Sequence, residues 1–184
     1  VSNVYNTSYR TQPAYEKSIR KQDCDYLACA EFGFKIDSSA IDHLIESEQI
    51  DEDTVLLPTL PSGCDIYSGF WVTVTQTQTG LSDANFNALT ALQWYFTQNG
   101  WSNHFSNYGW IEDLLGLESY PGDGGVWYYW AQYHATGNGT AAGWAFNNTT
   151  LEFITTAGES YIGMIFWGSP DAERAPDFPG YPAA

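Results

Sequence analysis

The stretch VWYYWAQYH, Val126–His134, constrains the fold of this chain more than any other part of the sequence. It places five aromatic rings and one histidine in nine residues, with no Lys, Arg, Asp or Glu among them. Side chains alternate between the two faces of a β-strand, so Tyr128 and Trp130 point to one face and Trp127 and Tyr129 to the other. Both faces of this predicted strand therefore carry rings. Either both are buried, or one is a core face and the other meets a sugar, a cofactor or another chain.

The charge balance excludes several classes of partner. Six Lys and Arg stand against 22 Asp and Glu, which gives a formal net charge of −16. Such a chain would be repelled by nucleic acid and by an anionic membrane surface. Because 43% of residues are hydrophobic and only 15% are charged, the composition is globular rather than that of a disordered acidic tail. No apolar run approaches the ~20 residues of a membrane-spanning helix, so we expect no membrane insertion.

Two features favour a secreted, extracellular protein at the cell surface. The chain begins at Val1 rather than Met, which we expect of a processed mature terminus. Four N-glycosylation sequons are present, at Asn6, Asn138, Asn147 and Asn148. The last three cluster, which predicts one exposed edge that is accessible to sugar.

The cysteine count predicts one disulfide. The three cysteines are Cys24, Cys29 and Cys64, and an oxidising compartment favours one pair plus one leftover thiol. We expect Cys64 to pair with Cys24 or with Cys29. The set lacks the second close pair of Cys or His that a tetrahedral zinc site needs, so no metal site is expected.

The sequence divides into three segments. Residues 1–66 read as an N-terminal arm followed by an irregular, Cys-containing segment, in which Asp37 or Ser38 caps one short helix. Residues 67–168 show regular strand and helix patterns. Residues 169–184 contain four prolines and read as an extended tail.

The middle segment predicts the fold class. FWVTVTQTQTG has the composition of a strand with a Thr and Gln outer face. SDANFNALTALQWYFTQNG predicts the main helix, at about residues 83–98, with Ser82 as its N-cap and Gly100 just past its end. Short strands separated by turns follow. We therefore predict an α+β, mainly β fold: a small mixed or antiparallel sheet packed on one main helix, flanked by the N-terminal arm and the Pro-rich tail.

Seven segments carry a family resemblance over residues 67–168: FWVTVTQ, NALTALQWY, SNYGWIEDLLGL, VWYYWAQYH, GWAFNN, LEFITTAGESY and IGMIFWG. Their order resembles the small β-domain that closes transcobalamin and intrinsic factor, and related uncharacterised domains of bacterial and archaeal secreted and cell-surface proteins. The resemblance implies that VWYYWAQYH is a central strand. One of its ring faces would then pack on the helix stripe of Phe86, Leu89 and Phe96.

The motifs of common catalytic sites are absent from the sequence. It contains no GxSxG nucleophile elbow, no HExxH metal pair and no Gly-rich phosphate loop. Glu112 and Asp113 are adjacent, so in a strand they point to opposite faces and do not easily share a substrate. We therefore expect no enzyme, no catalytic residue and no cofactor.

These observations favour a structural function, that of a secreted subunit which self-assembles into an extracellular surface layer or filament. Copies of the chain would bind one another by strand or arm exchange, because an extended arm can add a strand to a neighbour's sheet edge. The basic residues of the arm would dock on an otherwise acidic body. The candidate docking residues are Val4, Tyr5, Tyr9, Arg10, Lys17, Arg20 and Lys21.

The alternative is an extracellular binding module for a glycan, with a corrinoid as the less favoured ligand. Its aromatic contact face would consist of Trp127, Tyr129, Tyr133, Trp144 and Trp167, which would stack on sugar rings. In the similar cobalamin transporters, the corrinoid lies between this domain and a much larger helical domain. The irregular residues 1–66 cannot replace that domain.

Overall fold

A computed structural model describes residues 8–9, 28–60, 62–135, 145–146, 151 and 161–169 of the chain. In chain order, its elements are β1 (Ser8–Tyr9), β2 (Cys29–Ile36), α1 (Ser38–Glu46), β3 (Phe70–Thr75), α2 (Gln76–Thr79), α3 (Ala88–Asn99), β4 (Asn103–Phe105), β5 (Ile111–Leu114), β6 (Tyr120–Pro121), β7 (Trp127–Ala135), β8 (Ala145–Phe146) and β9 (Tyr161–Gly168). A short 3-10 turn, Asp123–Gly125, precedes β7.

One mixed sheet forms the centre of the fold. Its strand order is β1-β3-β2-β9-β7-β6, and β8 also pairs with β7. The two central strands, β2 and β9, are parallel, whereas the other neighbouring pairs are antiparallel. β4 and β5 form a separate two-stranded sheet. In the described part of the chain, the predicted strand-rich α+β class with a mixed sheet is confirmed.

The central strand β2 lies in the segment that the sequence pattern assigned to an irregular region. It pairs with β3 on one side and with β9 on the other. Seven of its eight residues are buried. CAEFGFKI alternates, with Ala30, Phe32, Phe34 and Ile36 on the face of one buried cluster, and this period-two strand signal was missed in the sequence. Among the described residues, the main sheet therefore includes strands from both sides of residue 66, where the sequence pattern changes.

The described residues form three helices, whereas the sequence predicted one short helix and one main helix. Asp37 caps α1 as predicted, and its carboxylate accepts a hydrogen bond from the N–H of Ser39 at 3.2 Å. The Gln-Thr sequence that was expected to continue β3 instead forms α2, a single helical turn. Thr75 caps it, with its hydroxyl accepting a hydrogen bond from the N–H of Gln78 at 3.2 Å.

The main helix α3 begins later than the sequence pattern predicted. Asn87, rather than Ser82, is its N-cap, and the Asn87 side chain accepts a hydrogen bond from the N–H of Thr90 at 2.9 Å. The Thr90 hydroxyl accepts one from the N–H of Asn87 at 3.0 Å, which completes a capping box. Gly100 ends the helix as predicted, with a φ of 68° that favours glycine.

Helices α1 and α3 contribute side chains to one large buried cluster. Phe34 of β2 meets Trp101 edge-on, with ring centroids 4.9 Å apart, and Trp101 stacks on Phe96 of α3 at 5.5 Å. Trp130 of β7 belongs to the same cluster, as do Phe86 and Phe96. One ring face of VWYYWAQYH therefore belongs to the buried cluster that also contains side chains of α3.

The opposite face of the sheet carries a second buried cluster. Its members are Trp71, Ala131, Tyr133, Tyr161, Ile165 and Trp167, with Tyr129 partly buried against them. The indole ring of Trp71 lies over Gly33 of β2, where an added Cβ would stand 2.9 Å from its Cζ2 atom. Gly33 pairs with Gly163 of β9, so the two central strands present no side chain at this level. Both ring faces of β7 are thus core faces.

We expect Gly33→Ala to lower the free energy of unfolding by about 1–3 kcal/mol, because the new methyl group overlaps the Trp71 ring. Chemical denaturation followed by fluorescence measures the loss. Trp71→Leu in the same background should recover part of it, since a smaller side chain leaves room for the methyl group. A Gly33→Ala variant as stable as the wild type would contradict the close packing of Trp71 on this glycine.

Candidate assembly edge

The N-terminal arm meets the main sheet at the edge formed by β3. β1 pairs with β3 in the antiparallel sense, with Ser8 opposite Thr73 and Tyr9 opposite Val72. The arm thus adds a strand to the sheet edge of its own chain, whereas the addition to a neighbour's edge that the sequence predicted stays a prediction. Of the arm residues proposed for docking, Tyr9 is described through its backbone.

The hydrogen-bonding pattern of β3 shows which arm residue contacts it. Gln76 donates its backbone N–H to the carbonyl of Ala28 at 2.8 Å, which makes these two residues a hydrogen-bonded pair. Such pairs alternate along an antiparallel ladder, so the N–H and C=O of Val72 point towards β2. Those of Thr73 point the other way, towards β1. Ser8 is therefore the described arm residue whose backbone groups face β3.

A carboxylate is buried beside this edge. Glu31 of β2 is 3% exposed and stands opposite Thr73 of β3. The Thr73 hydroxyl donates a hydrogen bond to Glu31 Oε1 at 3.0 Å. The expected solvent-facing Thr side of β3 is therefore wrong at Thr73, which is buried. Sequence reasoning did not single out Glu31, although a Glu within the alternating pattern of CAEFGFKI was the available signal.

The aromatic contact face predicted for a ligand is only partly exposed. Tyr133 and Trp167 are buried, with their rings edge to face at 6.2 Å, because this face of the sheet is a core face. Tyr129 is half-buried and packs against the same cluster. Trp127, at the start of β7, is 51% exposed and is the most exposed of the described rings in this set. Trp144 lies outside the described residues.

One acidic pocket of about 500 Å³ lies beside β4 and β5. It is lined by His104, Ile111, Glu112, Asp113, Glu118 and Ser119. His104 Nδ1 lies 3.1 Å from Glu112 Oε1. Glu112 and Asp113 line the pocket together, contrary to the expectation, because Glu112 is the extra residue of a β-bulge: His104 pairs with Asp113 and Phe105 with Ile111. Among the described residues, no group of three or more His, Cys, Asp or Glu is arranged to hold a metal ion.

Two buried polar atoms lie on the helix-facing side of β7. Gln132 Oε1 and His134 Nε2 have no hydrogen-bond partner among the described residues. Burial lowers the pKa of His134, because removal of water disfavours the charged imidazolium.

The predicted disulfide of Cys64 is wrong. Cys29 is in a disulfide, whereas Cys64 carries a thiol. The two lie far apart because Ile36, at the opposite end of β2 from Cys29, donates its N–H to the carbonyl of Ile66 at 3.0 Å. Seven residues of strand span about 23 Å, well beyond the ~7 Å between Cα atoms that a disulfide allows. Cys24 lies outside the described residues.

Several predicted site residues stay predictions, because they lie outside the described residues. They are the sequon residues Asn6, Asn138, Asn147 and Asn148 and the arm residues Val4, Tyr5, Arg10, Lys17, Arg20 and Lys21.

Comparison with known proteins adds no family to these observations. No protein-family model, curated protein or solved structure matches the chain. The resemblance to the transcobalamin β-domain therefore stays a prediction. Within the described ranges, every helix is too short or too polar to cross a bilayer.

We expect the free energy of unfolding to fall as the pH decreases from about 7 to 5.5. Below the ordinary histidine pKa of about 6.5, the unfolded chain binds a proton at position 134, whereas the folded chain resists it. Stability therefore rises with pH across this window. Urea titrations at several pH values measure the slope, and His134→Gln should reduce it. Equal slopes for the wild type and the variant would contradict the assignment to His134.

Proposed function

We propose that the protein is a secreted, non-enzymatic structural subunit that assembles into an extracellular surface layer or filament by exchanging its N-terminal arm between copies. The observation that carries this proposal is the pairing of β1 with the edge of β3. Every copy of the chain has the same edge, so an arm that fits its own β3 fits a neighbour's β3 with the same contacts. The arm and the edge are different surfaces, and such head-to-tail contacts build open filaments when they do not close into rings.

The topology of the edge favours exchange. β1 and β2 are both antiparallel to β3 and so run in the same direction. Nineteen residues connect Tyr9 to Cys29, and a fully extended segment of that length spans about 65 Å. A chain of this size has a radius of gyration of about 16 Å, so the arm is long enough to reach a neighbouring subunit.

The charge distribution supports the same contact. Residues 1–22 hold four of the six cations and only one carboxylate, Glu16. Residues 26–169 hold a single cation, Lys35, and sixteen Asp or Glu. Two such bodies repel each other, whereas a basic arm is attracted to either body. The disulfide at Cys29 supports the extracellular location, because disulfides persist in oxidising compartments.

We expect Ser8→Pro to abolish large assemblies. Ser8 is the residue whose N–H faces β3, and proline removes that donor from the ladder. Tyr9→Pro is the matched control, since the N–H of Tyr9 points away from β3 and proline is tolerated at such edge positions. Light scattering beside negative-stain imaging in non-reducing buffer measures particle size. Deletion of residues 1–20 should reproduce the effect of Ser8→Pro.

The outcome separates assembly from a soluble monomer. Fibres or sheets from the wild type that persist in Ser8→Pro and in the deletion would rule out the arm as the assembly contact. A uniform wild-type particle of 20.5 kDa would rule out assembly under those conditions.

A glycan-binding module is the second candidate, and the exposure of Trp127 supports it. An exposed indole offers a flat apolar surface on which a sugar ring can stack. We expect a bound glycan to change the Trp fluorescence of the wild type and not that of Trp127→Ala. A titration across a broad glycan panel with no change in the wild type would rule out this candidate.

A further inference from the structure

We propose that the exposed side chains of Leu56 and Leu57 form, together with the carboxylates next to them, a docking surface for a basic segment of a partner polypeptide. The surface contains no residue of β1 or β3, so the inference goes beyond the arm exchange of the proposed function. The partner segment is one in which Lys or Arg residues stand next to apolar side chains.

The apolar centre of this surface is a pair of neighbouring leucines. Leu56 is 51% exposed and Leu57 is 53% exposed. The other exposed large apolar side chains of the described residues, Tyr108 and Trp127, are far apart in the sequence. Single exposed apolar residues are common on protein surfaces, whereas two neighbouring ones offer a shared apolar contact to a partner. About half of each leucine therefore stays available for burial in a complex.

Hydrogen bonds and close packing fix the backbone that presents the leucines. Leu56 donates its N–H to the carbonyl of Leu115 at 2.8 Å, and Thr54 donates its N–H to the carbonyl of Asp51 at 3.1 Å. Gly116, with a φ of 81°, lies so close to this segment that an added Cβ would overlap the Thr54 carbonyl oxygen. A backbone fixed in this way has little conformational entropy to lose on binding, which favours affinity.

An acidic run leads directly into the leucines. Asp51, Glu52 and Asp53 are all exposed. Asp53 precedes Leu56 by three residues, so their Cα atoms are at most about 10 Å apart. The Asp51 carboxylate accepts hydrogen bonds from the N–H of Asp53 at 3.0 Å and from the Thr54 hydroxyl at 3.2 Å, which holds the run in a turn. Negative charge therefore borders the leucines along the chain.

A second group of carboxylates borders the turn that Leu56 contacts. Leu114 and Leu117 pair across this turn, and each donates its N–H to the carbonyl of the other at 3.1 Å. The residues just outside the pair, Asp113 and Glu118, both line the acidic pocket beside β4 and β5. Because the hydrogen bond of Leu56 is to the middle of the same turn, the Cα atom of Asp113 lies within about 12 Å of that of Leu56.

The local charge decides which partner fits. Residues 46–53 hold five carboxylates and residues 112–118 hold three, and neither stretch contains Lys or Arg. The acidic body of a second copy is repelled from such a surface, as are nucleic acid and anionic lipid. A segment with Lys or Arg is attracted to it, and apolar side chains of that segment can cover the leucines. The occupant is therefore a basic peptide segment with apolar residues.

Peptide binding to the full-length protein tests the surface. The probe is the fluorescein-labelled peptide KKSLLSKK, and its Kd is measured by fluorescence anisotropy at low ionic strength, where charge attraction is least screened. We expect saturable binding of one peptide per chain. The peptide EESLLSEE, with the opposite charge, should not bind. The peptide KKSSSSKK, without the apolar centre, should bind at least about tenfold more weakly.

Substitutions in the protein locate the contact. We expect Leu56→Ser and Leu57→Ser each to raise the Kd of KKSLLSKK at least about threefold, because each removes apolar surface that the peptide covers. Trp127→Ser is the matched control, since Trp127 is also 51% exposed, and it should change the Kd less than about twofold. Glu118→Gln should raise the Kd about threefold, whereas Asp83→Asn, between α2 and α3, should change it less than about 1.5-fold.

Several outcomes would overturn the surface. They are no binding of KKSLLSKK to the wild type at about 1 mM, equally tight binding of either control peptide, and an unchanged Kd in both leucine variants. Both leucines are exposed, so their loss does not threaten the fold. Ser8→Pro should bind the peptide as the wild type does, because the surface contains no arm residue. Peptide binding can therefore hold where assembly fails, and assembly can hold where peptide binding fails.

Discussion

The parallel pairing of β2 with β9 is the constraint on which the rest of the structure depends. It joins a strand near the start of the chain to one near its end, in continuous register from Glu31 opposite Tyr161 to Ile36 opposite Phe166. Parallel pairs are stable in proteins when both faces of the sheet are covered. All eight residues of β9 are buried, and separate apolar clusters lie on the two faces. The aromatic stretch of β7, next to β9, can therefore carry rings on both faces without exposing most of them.

Local patterns predicted local features of this fold well. The Asp37 cap, the left-handed Gly100 and the alternation of β7 each depend on neighbouring residues, and each was visible in the sequence. The start of α3 was missed because Ser82 and Asn87 are equally good caps on propensity. The capping box with Thr90 decides between them.

Features that depend on distant residues were not predictable in this way. Glu31 and Thr73 are 42 residues apart, and only the pairing of β2 with β3 makes their contact visible. Glu112 looked as though it pointed away from Asp113, because a bulge cannot be read from the spacing of one strand. The burial of Trp167 likewise required knowledge of what covers each face. The fold class, the Asp37 cap and the Gly100 helix end could therefore be predicted from the sequence. The β3 edge with its buried carboxylate could not.

The edge of β3 also bears on how self-docking of the arm would compete with the proposed exchange. β1 pairs with two of the six residues of β3, and each backbone hydrogen bond contributes only about 0.5–1.5 kcal/mol net. Docking within a chain and between chains would make the same contacts, so their balance depends on concentration and not on contact energy. For a tethered arm, the β3 edge of its own chain is present at an effective concentration on the order of millimolar. Under the proposed assembly, crowding of the subunits would therefore shift the balance towards exchange between chains.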